Sequence, residues 1–200
     1  DRDSNTEEWK EHPNHEDDED HDFIVLKTFD LALRKFITAI NADEVTSRIP
    51  QVTIDEAGKI VYTHPKDPVL VSNSDLVTYT IRVYNEGTLD GFAEIVKDNV
   101  PDGLQFVPEN EVNKLYGWVV SEDGKTITTD YLSSAKSANN VIKGFLRDTM
   151  QTPDYKDVKV VFKVTEEQLP ADRILINTAE IAKDSNQYGT ADIDSVPNND

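Results

Sequence analysis

Apolar and polar residues alternate along much of the chain, and the clearest run is Leu76–Asn85. There Val77, Tyr79, Ile81 and Val83 fall on one side, and Thr78, Thr80 and Arg82 on the other. A period of two is the mark of a half-buried strand. The same reading applied to Phe29–Ile37 puts Phe29, Leu31, Leu33, Lys35 and Ile37 on one face. Near the other end, Ile174–Ile181 puts Leu175, Asn177, Ala179 and Ile181 together. Each apolar face therefore carries one polar residue out of pattern, Lys35 in the first and Asn177 in the second. The Phe29–Ile40 region also fits a helix face through Phe29, Leu33, Phe36, Ile37 and Ile40. A strand is expected because the alternation extends through Phe23, Val25, Lys27, Phe29, Leu31 and Leu33, and because the sequence downstream is β-rich.

Between these runs lie further strands and turns. Residues 41–68 form a loop-rich insertion with short strands at 51–54 and 59–63. Asn85–Gly91 is a turn, Phe92–Asp98 a strand, and Val100–Leu104 a second turn. Tyr116–Val120 and Thr126–Tyr131 flank Ser121-Glu-Asp-Gly-Lys125, a hairpin with Asp-Gly in its turn. Residues 133–140 are polar loop, 141–146 a short strand or turn, 157–165 a strand, and 173–182 the final strand. This pattern predicts an all-β fold, an immunoglobulin-like β-sandwich of eight or more strands, with Tyr79, Tyr84, Trp118 and Phe162 in its core.

Composition narrows the reading. The 200 residues carry a net charge of −19 and no cysteine. Disulfides and thiol chemistry are excluded, and nucleic acid, which calls for a basic stripe, is not an expected partner. No run is long enough for a membrane span, so no membrane contact is expected within this stretch. Residues 1–22 hold eleven acidic residues against Arg2 and Lys10, with Trp9 as almost the only apolar group. They read as an acidic linker, 23–191 as the sandwich, and 192–200 as the start of a next linker. Asp1-Arg-Asp-Ser4 echoes Asp192-Ile-Asp-Ser195, 191 positions on, as a module within a tandem array would.

A lysine is almost never fully buried without a partner. An amine and a carboxamide on the inner faces of the first and last strands suggest a covalent Lys35–Asn177 isopeptide cross-link. Lys35 snorkelling to the sheet edge and Asn177 satisfying a backbone group is the plainer alternative, and Lys27 shares the face of Lys35.

Four segments in order, Asp30–Lys35, Val77–Gly87, Asp98–Leu104 and Ile176–Ile181, resemble a repeated domain of Gram-positive, especially clostridial, cell-surface proteins. The acidic Glu16–Asp20 and the closing Asp192–Asn198 are similar to that family's inter-repeat segments. The resemblance covers nearly the whole chain, and its stalk domains are similar to collagen-adhesin sandwiches that form Lys–Asn isopeptide bonds with the help of a buried acid. It implies Lys35 and Asn177 as the cross-linked pair and an extracellular, wall-associated location. Neighbouring repeats of the same chain are the implied partners. Glu94, mid-strand among apolar residues and on the face shared by Phe92, Val96 and Asp98, is taken as the assisting acid; Asp98 and Asp75 are the alternatives. Such a reaction turns over once, so the domain is not expected to be an enzyme in the usual sense. The link would close a loop of 142 positions, an entropic stabilisation of about 5 kcal/mol.

The acidic ends suggest a second chemistry. Asp1-Arg-Asp-Ser-Asn5 opens like a calcium loop, but Thr6 stands where glycine is needed and His12 where glutamate is, so it is no EF-hand. Asp1, Asp3, Asp17, Asp18 and Asp20, and at the far end Asp184, Asp192 and Asp194, can still offer oxygen to Ca2+ and stiffen a joint between repeats. The spacing of His12, His15 and His21 matches no standard zinc site. The competing function is a ligand-binding adhesin, with loops 41–68 and 133–156 recognising a host matrix protein or glycan. Hydrolase motifs and phosphate loops are absent.

Overall fold

A computed structural model describes residues 22, 24–56, 58–147, 149–167 and 169–194. The order is β1 (Leu31–Ile40), β2 (Asp43–Glu44), β3 (Gln51–Ile54), β4 (Ile60–Thr63), β5 (Leu76–Asn85), β6 (Gly91–Asn99), β7 (Leu104–Phe106), α1 (Glu111–Leu115), β8 (Val119–Val120), β9 (Thr126–Thr129), β10 (Tyr155–Val164) and β11 (Ala179–Asn186). One sheet runs β2-β1-β5-β10-β7, a second runs β11-β6-β9-β8, and β3-β4 form a separate hairpin. All strand pairs are antiparallel. The expected all-β sandwich is the observed fold.

Alternation decides which residues fill the space between the sheets. Val77, Ile81 and Val83 of β5 meet Val158, Val160 and Phe162 of β10 in one layer; Ala93, Val96 and Ile127 come from the other. On the outer face of β5, Arg82 makes two hydrogen bonds to Asp157, at 2.7 and 2.8 Å. The β5–β6 turn is tied internally: Asn85, fully buried, donates to Leu89 O and Ile142 O and accepts from Gly87 N. Gly91 opens β6 because a Cβ there would collide with the Phe29 ring.

The structure corrects several expected boundaries, for one recurring reason. β1 begins at Leu31, paired with Asn85 at the end of β5, so residues 24–28 have no strand alongside and are not part of the sheet. Ile24, Val25 and Leu26 are 92%, 77% and 79% exposed. β11 begins at Ala179, opposite Asp98 near the end of β6, so 173–178 overhangs its partner and is largely unpaired. Three short elements went unforeseen: β2, which pairs with β1; β7, which pairs with β10; and α1, capped by the Asn110 side chain accepting from Val112 N at 2.9 Å.

The far end of the described chain returns to the start of β1. Phe29 and Asp192 form a parallel bridge, Leu31 N donates to Asp192 Oδ2 at 2.9 Å, and Ile193 N donates to Phe29 O at 3.0 Å. Residues 192–194 are therefore bonded to the sandwich.

Candidate functional site

Lys35 projects from the middle of β1 into the space between the sheets, and Asp98 meets it from the end of β6 in the opposite sheet. Lys35 Nζ lies 2.5 Å from Asp98 Oδ2, with the two side chains 8% and 0% exposed. The rings of Tyr79 and Phe162 enclose the amine, at 4.8 and 5.9 Å from their centroids. Asn177, on the overhang before β11, buries both atoms of its carboxamide. It lies close enough to Asp98 to favour the carboxylate. Yet Asn177 Oδ1 and Nδ2, and Asp98 Oδ1, complete no hydrogen bond of good geometry. Lys35, Tyr79 and Asn177 line one cavity of about 650 Å³.

Burial sets the electrostatics. Desolvation lowers Lys35 to about 8, against the pull of Asp98. It raises Asp98 to about 6, against the opposing effects of Lys35 and Asn177. Tyr79 is pushed up to about 12 by burial and then by Asp98. A dry site disfavours charge on both partners, so the two groups move toward the neutral amine and the neutral acid. A neutral amine is a nucleophile, a neutral acid donates a hydrogen bond, and a carboxamide beside them is an electrophile.

The structure brings together Lys35, Asn177 and Asp98, and sets the chosen acid, Glu94, apart. Glu94 accepts from Ser134 Oγ at 2.7 Å and Ser185 Oγ at 2.5 Å. Burial opposes its ionisation, but those bonds outweigh it and hold its pKa down. The cause is a slip in β6. Gly91 and Ala93 are buried, then Val96 and Asp98, and the pairing with β11 shifts register across the same positions. A bulge of this kind moves later residues to the other face. Counting by twos from Asp98 back to Glu94 crosses it, and Glu94 faces out.

Asp75 is also remote: it accepts from Asn41 Nδ2 and Ser72 N at an exposed turn. Lys27 is exposed, with Nζ 4.1 Å from the Tyr188 ring centroid. Tyr79, Tyr84, Trp118 and Phe162 do pack within the fold, Trp118 donating to Lys159 O at 2.7 Å.

Of the proposed calcium ligands, Asp1, Asp3, Asp17, Asp18 and Asp20 lie outside the described residues, as do His12, His15 and His21. Asp192 and Asp194 converge with Asp30, one carboxylate oxygen of each lying within 4.8 Å of the others. Burial and the charges of Asp194, Glu86 and Asp192 raise Asp30 to about 6. Asp184 is raised by burial and by Asp192 but stands outside that trio. The 133–156 loop is tied down, Lys143 Nζ meeting Asp90 at 2.7 Å and Lys143 N meeting Asp154 at 2.8 Å.

No protein-family model, curated protein or solved structure matches the chain. Among the described residues, no helix is long and apolar enough to cross a membrane.

Proposed function

We propose that this sandwich is a load-bearing stalk module of a bacterial cell-surface protein, cross-linked to itself by an isopeptide bond between Lys35 and Asn177 with Asp98 as the assisting acid. The observation that carries the reading is the burial of these three groups together, an amine and a carboxamide on either side of one carboxyl. In the step, neutral Lys35 Nζ attacks Asn177 Cγ while protonated Asp98 polarises the carboxamide oxygen. The Nζ–Cγ bond forms and the Cγ–Nδ2 bond breaks. One hydrogen passes from Nζ to Nδ2 by way of Asp98, which ends as it began, and ammonia leaves.

The bond would tie the β1 core to the segment entering β11. β1 and that segment are distant in sequence, so tension applied at the two ends would run through the link rather than through most of the hydrogen-bonded strands. A chain without cysteine would gain a constraint that no reductant undoes.

The test is the intact mass of the purified chain under denaturing conditions. A deficit of one ammonia, absent from Lys35→Ala, Asn177→Ala and Asp98→Ala and retained in Glu94→Gln, is expected. A mass equal to the sequence would overturn the cross-link.

A further inference from the structure

The cavity beside Lys35 opens outward as a groove between two segments outside the sheets, 65–71 and 172–177. Both walls have unused backbone. Among the described residues, Val69, Leu70 and Val71 on one side, and Leu175, Ile176 and Asn177 on the other, make no main-chain hydrogen bonds. Leu70 is 95% exposed and Ile176 71%. Unpaired extended backbone flanked by apolar side chains is a template for an added strand.

The groove's lining carries four basic side chains against three acidic ones, in a chain of net charge −19. Arg48, Lys66 and Arg173 line it beside Asp67, Glu166 and Asp172, and Lys66 is held below its usual range by burial and by the neighbouring Arg34 and Arg48. Asp67 lies 3.7 Å from Arg48, and Asp172 is occupied in accepting from Ile174 N. Lys66 reaches Lys35 O at 3.3 Å and has no carboxylate within ion-pair distance among the described residues.

An occupant of matching character lies in the same sequence. Ile24, Val25 and Leu26 are apolar and exposed, and Glu16–Asp20 and Asp22 stand a few residues before them in the sequence. Ile24–Leu26 does not line the groove of its own molecule. Leu26 and Thr28 are fastened to Thr88 beside the start of β1, whereas the groove begins near Lys35 and runs toward the far end of that strand. The gap from Phe29 is about 20 Å at some 3.3 Å per residue, about twice what the three residues from Leu26 to Phe29 can span.

We propose that the groove receives Ile24–Leu26, with the acidic run before it, from a second copy of the chain, which pairs as a strand between 69–71 and 174–177. The apolar residues cover Leu70 and Ile176, and the negative charge that precedes them in the sequence complements Arg48 and Lys66. Donor and acceptor are different surfaces, so the contact is head-to-tail and joins copies end to end. This inference stands apart from the cross-link, because it uses the exposed rim rather than the buried triad.

Sedimentation velocity on the whole chain, with two surface variants, tests it. Ile24→Asp/Leu26→Asp removes the donor, and Leu70→Asp/Ile176→Asp removes the acceptor. All four positions are exposed, so each variant is expected to fold, and the intact mass checks that the buried site is unaffected. The parent should associate with rising concentration, each variant alone should remain monomeric, and an equal mixture should form a one-to-one dimer, since each supplies what the other lacks. Lys66→Glu should weaken parental association by about tenfold, with a reduced dependence on salt. A parent that stays monomeric, a variant that associates as the parent does, or a mixture that fails to dimerise would each overturn the proposal.

Discussion

Two carboxylates near one strand share a raised pKa of about 6 and mean opposite things. Asp98 faces Lys35 in the middle of β1, and Asp30 sits just before that strand, beside Asp192 and Asp194. For Asp98, burial raises the pKa while its cationic partner works against the shift. For Asp30, burial and like charges push the same way. The first is a matched pair in a dry site, where the proton can pass between groups; the second is a half-buried concentration of negative charge. A pKa value alone does not separate chemistry from electrostatic strain. The signs of the neighbours do.

Removing one member of each cluster should expose that difference. Asp98→Ala is expected to have the largest effect, for it both prevents the cross-link and leaves the Lys35 amine buried without an acid. Breaking a buried pair in this way costs about 3–5 kcal/mol, in addition to the constraint lost with the bond. Thermal unfolding and intact mass of the one variant measure both. Asn177→Ala should lose the bond while keeping the Lys35–Asp98 pair, so its loss approaches the closure figure of about 5 kcal/mol and not the sum. Equal midpoints for the two variants would mean that the pair contributes nothing by itself.

The pH dependence of bond formation should also mark Lys35 and Asp98 as one coupled pair. The reactive arrangement holds one proton between the two groups, on the acid. Below about 6 a second proton occupies the pair, and above about 8 the last one leaves. Refolding denatured, unlinked chain in buffers across this range should give a bell-shaped rate with its maximum between those values. In Asn177→Ala, which cannot react, the sign for stability follows from the same shifts. The raised Asp98 makes the native state lose stability as pH climbs toward about 6, and the depressed Lys35 lets stability recover above about 8. A flat profile in both experiments would uncouple the two groups.

Glu94→Gln should be milder, about 1 kcal/mol from weakened bonds to Ser134 and Ser185, with the mass deficit intact. The position also shows how far a sequence can be read. Lys35 and Asn177 were legible because each interrupts an apolar face, and a polar residue out of pattern can be seen without coordinates. The acid was not, because parity holds only within an unbroken ladder and β6 slips between Ala93 and Val96. The ends of β1 and β11 were missed for a related reason. Ile24–Leu26 and Ile174–Ile176 are apolar runs that read as strand, but where a strand stops depends on where its partner stops. Asn110 caps α1, but five residues are too few for a helical period to show in the sequence.

The smallest effect should come from the acidic corner, and it should have the opposite sign. Asp30→Asn removes a charge that burial and its neighbours disfavour, so it should raise the unfolding midpoint at neutral pH, by a few tenths of a kcal/mol once solvent screening is allowed for. Because the folded pKa is raised, the parent's penalty is absent below the ordinary carboxylate range and complete above about 6. Parent and variant should therefore converge on acidification and diverge again as pH rises. Adding Ca2+ sharpens the comparison. A cation held by Asp30, Asp192 and Asp194 would relieve the same repulsion, so the parent would gain stability with Ca2+ and lose it with a chelator, while Asp30→Asn would respond less. If Ca2+ moves neither protein but the substitution still stabilises, the corner is plain charge repulsion. Asp30 would then differ from Asp98 in the sign of the neighbouring charge that moves its pKa.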